Sequence, residues 1–306
     1  MRQTIQALAL GAALMFAPAA VHAQAEVEQT QDAVADPENT IIVTGESDRE
    51  VVEELGKIIT RPSRAGKPIA RFDDAVCVKV SGLPDDMAEL VAQRIRDNVS
   101  SIRGVSLGEE GCKPNAFVGV LNNVTQAVDN LRTDEPWLFE GLLSYQLDRI
   151  YDGSEAVRAW HVFDERNMDG SQIPGKQRGT SGEDSIASTI NMIENASRFG
   201  RTRVNLTGAV VLVETGALRE KTFRQLADYA TIRILASVSD EIDTARSSLP
   251  TMLTLFGPRS PYQPTELSEF DRAYLESLYD LPANSRDGQV IAAAVTRYRT
   301  NLGMED

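Results

Sequence analysis

Histidine is almost missing from this chain. Its 306 residues contain two, His22 and His161, and two cysteines, Cys77 and Cys112. A structural or catalytic zinc site draws three or four ligands from His, Cys and carboxylate side chains, and a Ser-His-Asp arrangement needs an imidazole base. So small a supply leaves neither much to work with, so no metal and no cofactor are expected. The usual motifs are missing too: G-x-S-x-G, S-x-x-K, C-x-x-C and a Gly-rich phosphate loop. The stretch D-E-R-N-M-D-G at residues 164–170 lacks the acid spacing and closing Glu of a calcium loop.

Basic charge is also short. Lys and Arg number 31 against 45 Asp and Glu, a formal net charge of −14. Ten acids (Glu26, Glu28, Asp32, Asp36, Glu38, Glu46, Asp48, Glu50, Glu53 and Glu54) face Arg49 alone between residues 24 and 54, a local net of −9. The sign then flips: Lys57, Arg61, Arg64, Lys67 and Arg71 follow with no acid among them. Without a basic footprint for phosphates, nucleic acid is excluded as a partner. The block at 57–71 is expected to be solvated charge.

Long apolar runs are limited to one, residues 5–20. It follows Met1-Arg2 and ends in Val21-His22-Ala23. A charged start, a short apolar core and small residues before a cut site describe a secretory signal peptide at 1–23. The run is too short for a comfortable span, which needs ~20 residues, so no membrane insertion is expected after cleavage. That places the mature protein in the periplasm or outside the cell. In such an oxidising compartment, Cys77 and Cys112 are most simply a disulfide, closing a loop whose restriction stabilises by roughly 3–4 kcal/mol.

Residues 24–71 have few large apolar side chains to offset ordering entropy and are expected to be a disordered tail and linker, acidic then basic. One β-branched run interrupts them: Thr40, Ile41, Ile42, Val43, Thr44 and Gly45. From residue 72 onward the pattern is structured. A strand at 76–80 precedes a helix opened by Pro84, Asp85 and Asp86, with Met87, Leu90, Val91, Ile95, Val99 and Ile102 on its core face. Residues 116–121 make a second strand, and 124–152 read as helical with a break at Pro136. A third strand at 156–163 carries Trp160 and His161. A polar stretch at 164–203, with a helix near 186–197, is expected to be an insertion or lid. The most buried strand spans 207–215. Helices follow at 221–237 (with Phe223, Leu226, Ala230 and Ile234 on one face), 265–279 and 286–302. Strands scattered among helices without regular alternation point to an α+β fold, a single domain with a small mixed sheet packed by helices.

Two residues are weak catalytic candidates. Asp228 lies in an apolar helical window, where a carboxylate needs a partner; Arg224 and Arg233 are in reach along the helix. His161, the one imidazole left after export, reads first as a surface or hydrogen-bonded residue. Paired carboxylates with Asp228 at the floor of a pocket, under a lid at 164–203, would make a metal-free hydrolase.

Three segments carry a family resemblance: R-F-D-D-A-V-C (71–77) with G-C-K-P-N (111–115); T-F-R-Q-L-A-D-Y-A (222–230); and L-T-L-F (253–256) with L-S-E-F-D-R-A-Y-L-E-S-L-Y (267–279). Together they resemble an uncharacterised family of proteobacterial exported proteins. The last two are also similar, more distantly, to zincin metalloproteases. There a strand leads into the helix bearing H-E-x-x-H, and a later helix carries a pattern like Asp271, Leu275, Leu278 and Tyr279. Here the comparable window is Gln225-Leu226-Ala227-Asp228-Tyr229, with no zinc ligand to carry over. The resemblance implies a zincin-like topology without its chemistry: a non-catalytic exported protein acting through protein interaction. The run at 40–45 resembles a TonB box, which implies a TonB-type periplasmic partner and an accessory role in uptake.

Overall fold

The computed structural model describes residues 48–62, 67–173, 202–239, 242, 249–257 and 263–304. The leader expected at 1–23, the run at 40–45 and the helix expected near 186–197 lie outside them. The described elements belong to one compact unit.

The sheet is organised by its longest strand, β5 (Thr202–Glu214). β4 (Val157–Asn167) runs antiparallel along it, from Asn167 opposite Thr202 to Val157 opposite Val213. That leaves the other side of β5 to two parallel partners. The two-residue β1 (Arg71–Phe72) pairs with Asn205 and Leu206, and β3 (Ala116–Leu121) pairs with residues 209–214. β2 (Val78–Ser81) lies parallel on the far side of β3. The mixed sheet and its surrounding helices make the fold α+β, as expected.

Both faces of the sheet are covered, so β5 reads as a continuous apolar run rather than an alternating one. Ala209, Val211 and Val213 face the larger cluster, with α2 (Asp85–Ser101), α5 (Phe223–Leu235), α6 (Glu269–Asp280) and α7 (Asp287–Asn301). Val210 and Leu212 face a smaller cluster with α3 (Val124–Asp134), the 3-10 turn Pro136–Phe139 and α4 (Ser144–Asp152). The break expected at Pro136 is therefore real: that residue starts the 3-10 turn between the two helices. At the turn from β2 into α2, Gly82 has φ +85°, and a Cβ there would meet the Val120 carbonyl oxygen at 1.9 Å. Only glycine fits that turn.

Several expectations need correction. The tail does not run to residue 71: α1 (Asp48–Ile59) is a helix whose buried Val52, Leu55, Gly56 and Ile59 form a single stripe. It packs so closely on α7 that a Cβ on Gly56 would meet Ile291 at 3.0 Å. Three aliphatic side chains at i, i+3 and i+7, each contributing roughly 1.5–3 kcal/mol on burial, outweigh the surrounding acids. Nor is all of the basic block solvated. Arg71 donates to the carbonyls of Leu278, Tyr279 and Leu281, a cation at the negative end of α6. The polar stretch at 164–203 is strand at both ends. Leu90 is 63% exposed, to one side of the buried stripe of Val91, Ala92, Ile95, Asn98 and Val99, and Phe223, the first residue of α5, is exposed too.

Cys77 and Cys112 form a disulfide across 35 residues. It ties the approach to β2 to the loop before β3. The double variant Cys77→Ser/Cys112→Ser should lose roughly 3–4 kcal/mol of unfolding free energy in a urea titration, with an unchanged far-ultraviolet spectrum in the absence of denaturant.

Candidate functional groove

Beyond the bulge at residues 162–163, β4 continues to Asn167. Before the bulge its backbone alternation can be assigned. Ala156 accepts from the Glu214 amide at 2.8 Å, so even-numbered residues turn their backbone groups toward β5. Val157, Ala159 and His161 therefore present N–H and C=O on the outer edge. Consistent with this, an Arg233 Nη2 lies 3.5 Å from the Ala159 carbonyl. No strand among the described residues pairs with that edge between Val157 and Phe163.

Side chains alternate in the same register. Trp160 points into the smaller core, where it donates to the Leu138 carbonyl at 3.0 Å and stacks on Phe139. His161 points to the opposite layer, 6% exposed, with Nε2 3.1 Å from the Ile234 carbonyl of α5. The edge thus separates two helical layers, and a groove opens where they fail to meet.

The groove has two adjoining compartments, of about 280 and 140 Å³. Arg149, Ile150, Ala159, Arg233 and Ser239 line both. In the larger, Tyr229 and Phe256 form an aromatic wall, edge to face at 4.8 Å, with the Arg233 guanidinium 6.0 Å from the Tyr229 ring. Ser237 and Ser239 share the smaller compartment with His161, whose ring is anchored by the α5 backbone. Arg158 enters the larger compartment while 5% exposed. It donates to the Ile150 carbonyl at 2.9 Å, to Thr125 Oγ1 at 2.8 Å and to the Gly153 carbonyl. Two of these acceptors are at the C-terminal end of α4, where the helix carries partial negative charge.

Asp228 is elsewhere. It is fully buried between α2 and α5 and lines neither compartment. Its partner is Arg94, not the expected Arg224 or Arg233: Nε and Nη2 meet the two carboxylate oxygens at 2.8 and 2.9 Å. Asn98 Nδ2 at 2.6 Å and the Leu267 amide at 3.1 Å complete the set. The bond to Asp228 also raises the Arg94 pKa above its ordinary value. Helical periodicity explains the misreading. The groove side of α5 carries Tyr229 and Arg233, four apart, and Asp228 lies on the face toward α2.

Of the positions that carried the zincin resemblance, those on α6 (Asp271, Leu275, Leu278 and Tyr279) are all buried. Asp271 is buried and accepts from Thr251 Oγ1 at 2.6 Å, the Met252 amide at 2.9 Å and the Ser268 amide at 3.1 Å. It thereby fixes the 3-10 turn Met252–Thr254 to the start of α6; burial raises its pKa. Tyr279 donates to the Leu235 carbonyl at the end of α5 and accepts from the Phe72 amide. Leu275 and Leu278 fill the core between them.

No family model, curated protein or solved structure matches this chain. The groove must be read from its own chemistry. The basic residues that line it among the described residues, Arg61, Arg149, Arg158 and Arg233, were not singled out as a group by the sequence, since they lie just after α1 and on α4, β4 and α5 with no fixed spacing. Asp228→Ala should cost about 3–5 kcal/mol of stability, because it strands Arg94 and Asn98 beside a buried void. Denaturant titration measures it; a change within 1 kcal/mol would contradict the assigned network.

Proposed function

We propose that this is an exported, non-catalytic binding protein that takes an extended polypeptide segment of a partner onto the outer edge of β4. The observation that carries the reading is the edge itself. Val157 and Ala159 turn backbone donors and acceptors into a groove flanked by an aromatic pair and by arginines. An exposed strand edge beside side-chain pockets is the setting for β-strand addition, in which main-chain bonds supply affinity and alternate pockets supply specificity. Natural proteins cover or blunt such edges unless they are used.

The fates of the chemically able residues favour binding over reaction. Asp228 is spent on Arg94 and Asn98, Cys77 and Cys112 on each other, and His161 on the α5 backbone. The zincin likeness fits the same reading: β5 leads into α5, and α6 carries Asp271, Leu275, Leu278 and Tyr279, here all devoted to holding the scaffold. Export rests on the pattern of residues 1–23. Intact mass of protein recovered from the periplasm or medium should match a chain beginning at Gln24 with two fewer hydrogens than the reduced form. A mass that retains the leader removes export from the proposal.

Ala159→Pro tests the edge, because it deletes an outward N–H and leaves the ladder to β5 in place. A random dodecapeptide phage library panned on the mature protein should enrich binders, and the variant should hold them at least tenfold more weakly. Amide exchange at Val157 and Ala159 should slow when an enriched peptide is bound to the unmodified protein. No enrichment, or bound peptides that leave those two amides unprotected, would overturn the reading.

A further inference from the structure

Along β4 the side chains divide between the two layers of the molecule. Trp160 and Val162 belong to the smaller cluster, whereas Val157, Ala159 and Phe163 pack against the larger one. Arg158 turns with Trp160, toward α3 and α4, where it donates to Thr125 and to the Ile150 carbonyl. On the α5 side of its outer edge, before the bulge, β4 therefore presents a valine, an alanine and the backbone-anchored ring of His161. Alanine is the smallest of the three, and it lines the compartment of about 280 Å³.

Four more apolar side chains line that compartment with Val157 and Ala159. Ile242 and Phe256 are half-buried and pack on the larger cluster, to which Tyr229 and Leu253 belong. Tyr229 and Phe256 meet edge to face, with centroids 4.8 Å apart and planes at 86°. Folding leaves Val157, Ala159, Ile242 and Phe256 with apolar surface still open to the groove. An aromatic side chain suits this lining better than an aliphatic one. It buries a large apolar area while ordering only two side-chain torsions, and it adds a ring contact to an existing aromatic pair.

We infer that the partner segment is anchored by one aromatic side chain, carried by the residue directly opposite Ala159 and seated in the larger compartment against Tyr229 and Phe256. The inference rests on the proposal that β4 receives an extended peptide, and it adds which peptide. Residues directly opposite one another in a ladder project to the same face. The residue facing Ala159 is thus directed to the α5 layer, and its two neighbours in the peptide to the α4 layer. The anchor also fixes register, because a shift by one residue turns the ring away from its seat.

The probes are four fluorescein-labelled, threonine-rich octapeptides that differ only at one central residue: Phe, Leu, Ala or Glu. Anisotropy titration against the full mature protein with its disulfide intact should rank them Phe, Leu, Ala, with Glu no tighter than Ala. The Phe peptide should bind roughly tenfold tighter than the Ala peptide, the low end of what burying a phenylalanine side chain supplies. High salt should leave that margin intact, since no charge pair produces it. Ala159→Leu keeps the backbone donor and acceptor of the edge but fills the space beside them, and should erase the advantage of the Phe peptide. Phe256→Ala, which removes one wall from a half-buried position, should shrink it. A full margin in both variants would overturn the assigned seat. Equal binding of all four peptides, or an order led by Glu, would overturn the aromatic anchor and leave strand addition standing. Binding of none would remove both. If millimolar N-acetylphenylalanine amide displaced the Phe peptide completely, the compartment would be a small-molecule pocket, and the inferred peptide segment would be wrong.

Discussion

Every layer of this molecule is hung on β5, a strand that is paired on both sides and buried on both faces. Its backbone donors and acceptors are met by β4 along one side and by β1 and β3 along the other. Its side chains alternate between the two hydrophobic clusters, Val211 and Val213 into one, Val210 and Leu212 into the other. A strand in that position has no freedom of register, since a shift by one residue would exchange the faces and break three ladders together. The positions of α5, which follows β5 after a short turn, and of β4, which precedes it, are consequences.

The groove exists because β4 is the end of the sheet. Its inner side is committed to β5 and its outer side faces the seam between two helical layers. α5 and α6 hold the rear of that seam through polar bonds rather than bulk packing alone. Asp228 locks α5 to α2, Asp271 locks the 3-10 turn to α6, and Tyr279 joins α6 to the end of α5 and to β1. Buried polar contacts of this kind are geometrically demanding, because leaving one unmade is expensive. They hold Tyr229, Arg233 and Phe256 at fixed places in the groove wall while taking no part in it themselves.

Much of the fold was legible from residue pattern. The strands at 116–121 and in β5, the helices at 85–101, 223–235, 269–280 and 287–301, and the disulfide each follow from periodicity, capping residues or cysteine count. α1 was missed because its apolar stripe is only three large residues wide and is set among acids; α7 provides the surface that makes it fold. The groove was legible only in fragments. His161 and Asp228 drew notice as rare or misplaced chemical types, and one proved to be anchored to backbone and the other to be an interhelical lock. Arg149, Arg158 and Tyr229 drew none, because an arginine or tyrosine in a helix or strand is ordinary until its neighbours are known.

What the sequence determined by itself is a matter of local period and of inventory. Helix and strand spacing, turn residues and the small stock of imidazole and thiol act over a few residues or over the whole composition. What the tertiary structure decided is adjacency. Which edge of the sheet stays unpaired, which side of α5 faces it, and which arginines from α4, β4 and α5 meet there depend on contacts between segments distant in the chain, such as Ala159 with Arg233, 74 residues apart. No local rule encodes those contacts, because they are chosen by the packing of complete elements against β5.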